Sequence, residues 1–226
     1  FLITSYDLEW QAIQTPEFQA LLDATGEEMG LYICGVFDSG MRHIGMIDKP
    51  INTMADLSGV KLRTASSELL LDALTTLGAS PIVVNYNEVY SALQNGVVDG
   101  EDVNYLTAVA QKHYEILGYM SEIGMYPYPS YVCFNRDAVD SLPEGYWDFM
   151  QECMNECMED YFTNIIVEAD AEAAALMEEN GVVINQISDA DAWADAMQPI
   201  YDEYLASADE RVVAFVEAVQ ALKAAE

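Results

Sequence analysis

The chain has 226 residues, 52% of them apolar, and carries 39 Asp plus Glu against eight Lys plus Arg, a formal charge of -31. That is ample material for a real core, but eight scattered cations make no basic stripe, which excludes nucleic acid and disfavours anionic membrane surfaces. No apolar run approaches the ~20 residues of a membrane span, and FLITSYDLEW has neither the basic start nor the cleavage site of a signal peptide, so either the protein is cytosolic or any export signal lies outside this sequence.

The opening 30 residues read as helical, with a start at Thr15-Pro16-Glu17 and an apolar face of Phe18, Leu21 and Leu22. Leu31 to Phe37 is a strand, and a polar connection with Arg42 and His43 leads to Pro50. Thr53-x-x-Asp56 is a capping box for one turn stopped by Gly59. Val60 to Thr64 is a strand, and Ser66 or Ser67 caps a helix with Leu70, Ala73, Leu74 and Leu77 at i, i+3, i+4, i+7. Pro81 to Val84 is the next strand, Asn87 caps the next helix, Val97-Val98 begins a third strand, and Asn104 caps a helix to about Glu115. After Met125-Tyr126-Pro127-Tyr128-Pro129 the run Ser130 to Phe134 is a strand; Ser141-x-x-Glu144 opens a long acidic helix ending at Asn180-Gly181. Val182 to Ile184 is a short strand, and Ser188-x-x-Asp191 begins the last helices, divided at Pro199.

Strand and helix alternating in units of roughly 20 residues predict an α/β fold with a parallel sheet, whose ligands bind beyond the carboxyl ends of the strands. Arg63 to Ser67, Tyr86-Asn87 and Glu101 to Asn104 fall on that edge. Arg63 stands at a strand end before a Ser-capped helix, where a guanidinium can hold a carboxylate bidentately; pairing with one of the many local carboxylates is the alternative. Arg42 is a second candidate of the same kind. Tyr86 is placed to wall a polar pocket, and Glu101, Asp102 and Asn104 either contact ligand or are solvated, with Asn104 a plain helix cap.

Catalytic readings find little support. His43 and His113 lie in no recognisable motif, no phosphate-binding or nucleophile loop is present, and acids are too common for any pair to signify. Cys34, Cys133, Cys153 and Cys157 form no CxxC pair. The expectation is therefore a binding protein with no catalytic residues, no metal and no cofactor.

The segments DLSGVKLRTASS, LGASPIVVNYNEVYSALQNGVVDGE, AQKHYEILGY and FNRDAVDSLPEGYWD resemble, in order and spacing, the solute-binding proteins of tripartite ATP-independent periplasmic (TRAP) transporters of the dicarboxylate-binding DctP type. The resemblance implies a two-lobe periplasmic-binding-protein-like fold, with parallel or mixed sheets flanked by helices and a long lobe-connecting helix. It divides the chain into 1–40 (remainder of lobe I), 41–128 (lobe II with the ligand clamp), 129–165 (return to lobe I) and 166–226 (C-terminal helices on both lobes). It implies an extracytoplasmic, monomeric protein that delivers a small organic acid to TRAP membrane permease subunits. Arg63 would be the principal carboxylate clamp, Arg42 a second contact, and Tyr86, Ser66 and Ser67 further pocket residues. The Asn of the family's VDGQEN motif falls on Val103 by ungapped matching and on Asn104 after a local shift. Family members are longer at the N-terminus, so the chain is expected to begin partway through lobe I. A ligand-sensing effector domain of a regulatory protein is the alternative function.

Overall fold

The structure is a computed structural model that describes residues 1–225. In chain order it comprises α1 (Tyr6–Ile13), α2 (Pro16–Met29), β1 (Leu31–Asp38), β2 (His43–Met46), β3 (Lys61–Thr64), α3 (Glu68–Thr76), β4 (Ser80–Val83), α4 (Val89–Gln94), β5 (Gly100–Val103) and α5 (Tyr105–Ala110). There follow β6 (Tyr119–Glu122), β7 (Pro129–Asn135), α6 (Arg136–Asp140), α7 (Tyr146–Asp160), α8 (Ile166–Glu179), β8 (Val183–Gln186), α9 (Ala190–Ala196), α10 (Gln198–Ser207) and α11 (Glu210–Lys223). The chain separates into one compact unit of Phe1, Met41–Met125 and Asp170–Ser207, and another of Leu2–Gly40, Tyr126–Ala169 and the described residues from Ala208 onward.

The first unit is built on a six-stranded sheet in the order β4-β3-β5-β2-β6-β8. β3 runs parallel to β4 and β5, β6 parallel to β8, and β2 alone is antiparallel to its neighbours β5 and β6. The sheet is thus mixed: the β3, β4, β5 trio carries the alternation legible in the sequence, and β2 interrupts it. Val89, Leu93, Val103, Ala108, Met120, Ala173 and Met177 join in one buried cluster that ties α4, α5 and α8 to the sheet. Gly100 is required where β5 meets β2, because a Cβ there would run into the Gly45 carbonyl oxygen and the Met46 sulfur.

Several local expectations are corrected. β2 and β6 were not anticipated: HIGM is buried at every position, so it lacks the alternation of a half-exposed strand. β5 begins at Gly100 rather than Val97, because Gly96 turns with φ 66°, Val97 is exposed, and the Asp99 side chain accepts from the Lys61 amide at 2.8 Å. Asn85, not Asn87, precedes the 3-10 turn Tyr86–Glu88 that leads into α4. No capping box forms at Ser141-x-x-Glu144: Ser141 ends α6, its hydroxyl donating to Ala138 O, and α7 starts after Gly145. Nor does Ser188 cap α9; its hydroxyl donates to Asn52 O at 3.1 Å.

The caps at Thr15, Ser67 and Asn104 do form, each side-chain oxygen accepting an amide N–H of the first turn. So does the Thr53–Asp56 box, and Pro199 lies at the second position of α10, after the break that ends α9. The long acidic helix is α7 and α8 joined by a π-helical turn at Tyr161–Ile165.

In the second unit β1 pairs antiparallel with β7, with an irregularity between Ile33 and Gly35. A side chain at Gly35 would meet Met154, so the glycine lets α7 lie close against β1. Trp10 stacks on Phe162 at 5.7 Å and Phe18 lies 5.3 Å from Phe215. Glu9 and Asp38 are both buried and lie near each other. Burial, with the neighbouring Asp38 charge, pushes the Glu9 carboxyl up to about 9. Asp38 also accepts from the Tyr128 and Ser39 amides at 2.6 and 2.8 Å.

Candidate functional site

The carboxyl ends of β3, β4, β5, β6 and β8 all lie on one edge of the first unit's sheet, and the antiparallel β2 brings its own start there, with His43 opposite Val103. This edge gathers Arg42, His43, Arg63 to Ser67, Tyr86 and Asn104 from segments far apart in sequence.

Arg63 is the third residue of β3 and is only 6% exposed. Its Nε and Nη2 both donate to the Val84 carbonyl at 3.1 Å, just past the end of β4. Both Nη1 protons and one on Nη2 are left over, and among the described residues it has no carboxylate partner. In a chain of net charge -31 that is a specific arrangement. A buried cation without a counter-ion is costly, and an anion brought to it recovers that cost.

Arg42, the other buried Lys or Arg among the described residues, is differently placed. Its Nη2 donates to the Asp102 carboxylate at 3.0 Å and to the Asp102 carbonyl. Asp102 and Glu101 are fully buried rather than solvated. Glu101 lies 2.6 Å from His113 Nδ1, while its Oε2 has no hydrogen-bond partner.

Asn104 is buried and accepts from the Thr107 amide at 2.7 Å, capping α5, while its Nδ2 is without a partner; the hydroxyl of buried Thr64 is in the same condition. Val103 is buried within the apolar cluster. Ser67 caps α3, Ser66 is exposed, and Tyr86 is 48% exposed on its turn after β4.

His43, not put forward as a candidate from the sequence, stands at the same edge. Its Nδ1 accepts from the Ile123 and Gly124 amides at 3.2 and 3.1 Å, which places the ring proton on Nε2. Burial and the adjacent Arg42 charge lower its pKa to about 4, so the ring is neutral at physiological pH. The one signal in the sequence was its position next to Arg42.

No cluster of metal-ligating side chains occurs among the described residues, and no helix among them is long and apolar enough to cross a membrane. The family profile described as DctP, "Bacterial extracellular solute-binding protein, family 7", matches residues 1–208. A solute-binding protein of Chromohalobacter salexigens is 28% identical over 216 residues, covering 91% of this chain and 60% of that protein. The C4-dicarboxylate-binding periplasmic protein DctP of Rhodobacter capsulatus is 29% identical over 199 residues, 86% of this chain and 59% of its own length. The chain therefore spans about 60% of these relatives. Among solved structures, a TRAP periplasmic solute binding protein from Roseobacter denitrificans with bound β-D-glucuronate superposes with a TM-score of 0.89 at 28% identity, covering 98% of this chain and 72% of that one. The family consists of binding proteins for transport rather than enzymes. With its mixed α/β fold and a profile match over nearly its whole length, the chain belongs to the bacterial extracellular solute-binding proteins of family 7, the DctP family.

Proposed function

We propose that this chain is the ligand-binding body of an extracytoplasmic solute-binding protein that captures a small organic acid by its carboxylate and hands it to a TRAP-type permease, acting as a monomer. The observation that carries the reading is Arg63: a guanidinium 6% exposed, oriented by Val84 O, with donors to spare and no carboxylate partner among the described residues. A carboxylate completes that arrangement with charge-assisted hydrogen bonds. Asn104, whose buried amide nitrogen lacks a partner, assists from the same edge; Ser66, Ser67 and Tyr86 border it. Arg42, held by Asp102, contributes mainly by fixing the start of β2 against β5. The glucuronate held by the Roseobacter denitrificans relative is an acid of this kind.

The test is isothermal titration of wild type and Arg63→Ala with a panel of organic acids. Loss of binding in a variant that keeps its thermal midpoint supports the proposal. Unchanged affinity in the variant, or no acid bound by wild type, rejects it.

A further inference from the structure

The charges and hydrogen bonds on the carboxyl edge narrow the ligand class, and this narrowing rests on the carboxylate reading above. Arg63 and Glu101 are register partners in β3 and β5, and His43 is opposite Val103, two residues beyond Glu101. Register partners and residues two apart share a face, so Arg63, Glu101 and His43 all project from the same side of the sheet. β3 and β2 flank β5, which sets their backbones roughly 10 Å apart, a span that an extended four- to six-carbon acid and the Arg63 side chain can bridge.

Across that span the charges are few. Arg63 offers one positive charge with no counter-ion; Arg42 is matched by Asp102. His43 is a donor without charge, because two backbone N–H groups occupy Nδ1 and leave the proton on Nε2, which has no acceptor among the described residues. The ring is 8% exposed and is held against Tyr105 at 5.2 Å between centroids. Glu101 is fully buried behind the edge, held by His113 Nδ1 at 2.6 Å, and brings no positive charge to it. Asn104 Nδ2 is one more neutral donor.

We infer that His43 is a specificity residue whose Nε2–H binds a neutral oxygen of the ligand, and that the site selects a hydroxylated monocarboxylate over the corresponding dicarboxylate. Among the described residues of this edge a second carboxylate would meet no unmatched cation, whereas a hydroxyl or carbonyl oxygen finds His43 Nε2–H. Neutral-to-neutral hydrogen bonds of this kind are worth about tenfold in affinity each, and a charge left unmatched in a buried site costs more.

The experiment compares monoacids with the diacids that differ by oxidation of one terminal carbon: D-glucuronate with D-glucarate, D-galacturonate with galactarate, and D-erythronate with meso-tartrate, by isothermal titration. The best monoacid is expected to bind at least about tenfold more tightly than its diacid. His43→Asn keeps a carbonyl acceptor for the Ile123 and Gly124 amides and removes the Nε2 donor. It is expected to weaken the best monoacid about tenfold with little change in thermal midpoint, while Arg63→Ala abolishes binding of both classes. A diacid that matches or exceeds its monoacid, or an Asn variant with undiminished monoacid affinity, overturns the inference and leaves the carboxylate reading standing. Absence of binding by every acid overturns both.

Discussion

Arg63 and Glu101 stand side by side in adjacent parallel strands, yet they do not form an ion pair: Arg63 turns to the Val84 carbonyl and Glu101 to His113. Neighbouring opposite charges on one sheet face ordinarily pair. Here each is anchored by something else, and the cation keeps its remaining donors.

That anchoring makes shape as important as charge at position 63. Arg63→Lys retains the positive charge but loses the planar fork that holds Val84 O and presents the rest of the guanidinium. Affinity for the acid is expected to fall by a factor on the order of ten to a hundred, since one or two charge-assisted bonds are lost. Competition binding against wild type measures it, and an affinity equal to wild type would contradict the bidentate geometry.

Asp102→Asn tests the matching of Arg42. The ion pair is buried on both sides, so removing the carboxylate charge opposite Arg42 is expected to cost about 3–5 kcal/mol in urea unfolding. The same change removes the negative charge that offsets Arg42 at the sheet edge. Discrimination between monoacids and diacids should therefore shrink, whereas a purely structural ion pair would leave the ratio of affinities untouched.

The Glu9 carboxyl gives a pH-dependent stability. Its folded value near 9 lies above the ordinary value, so the protonated form is favoured in the fold. The contribution is full below the unfolded value and is lost as pH rises through the folded value. Stability of the wild type is expected to decline between about pH 5 and pH 9. Glu9→Gln, a neutral replacement of the same shape, should flatten that decline and raise the thermal midpoint at pH 8. An unchanged pH profile in the variant would show that Glu9 is not the titrating group.

Gly100→Ala places a methyl group against the Gly45 carbonyl and the Met46 sulfur. A backbone oxygen has nowhere to go, so the strands must separate locally. The expected loss is roughly 1–3 kcal/mol of unfolding free energy, and a variant as stable as wild type would mean that the β5–β2 approach is looser than it looks.

Legibility in the sequence followed the range of the interactions. The β3, β4, β5 trio and its caps at Ser67 and Asn104 were readable because a strand, a polar cap and a 3.6-residue apolar period lie within a few residues of one another. Arg63 was readable for the same reason, being fixed by its own strand end. β2 was not, since four consecutive buried residues with a central glycine carry no alternation. The Arg42–Asp102 pair depends on the β2–β5 register, and the tautomer of His43 on amides 80 and 81 residues away. The boxes at Ser141 and Ser188 had the right spacing, but both hydroxyls found carbonyl oxygens instead.

The isolation of Arg63 within so acidic a chain also bears on how fast a ligand arrives. At long range an incoming anion meets the repulsion of net charge -31, and only within a few ångströms does one guanidinium dominate. Screening weakens the first and hardly touches the second, because the cation is buried. Added salt should thus lower the barrier to encounter while leaving the escape rate nearly constant, the reverse of what an electrostatically steered receptor does.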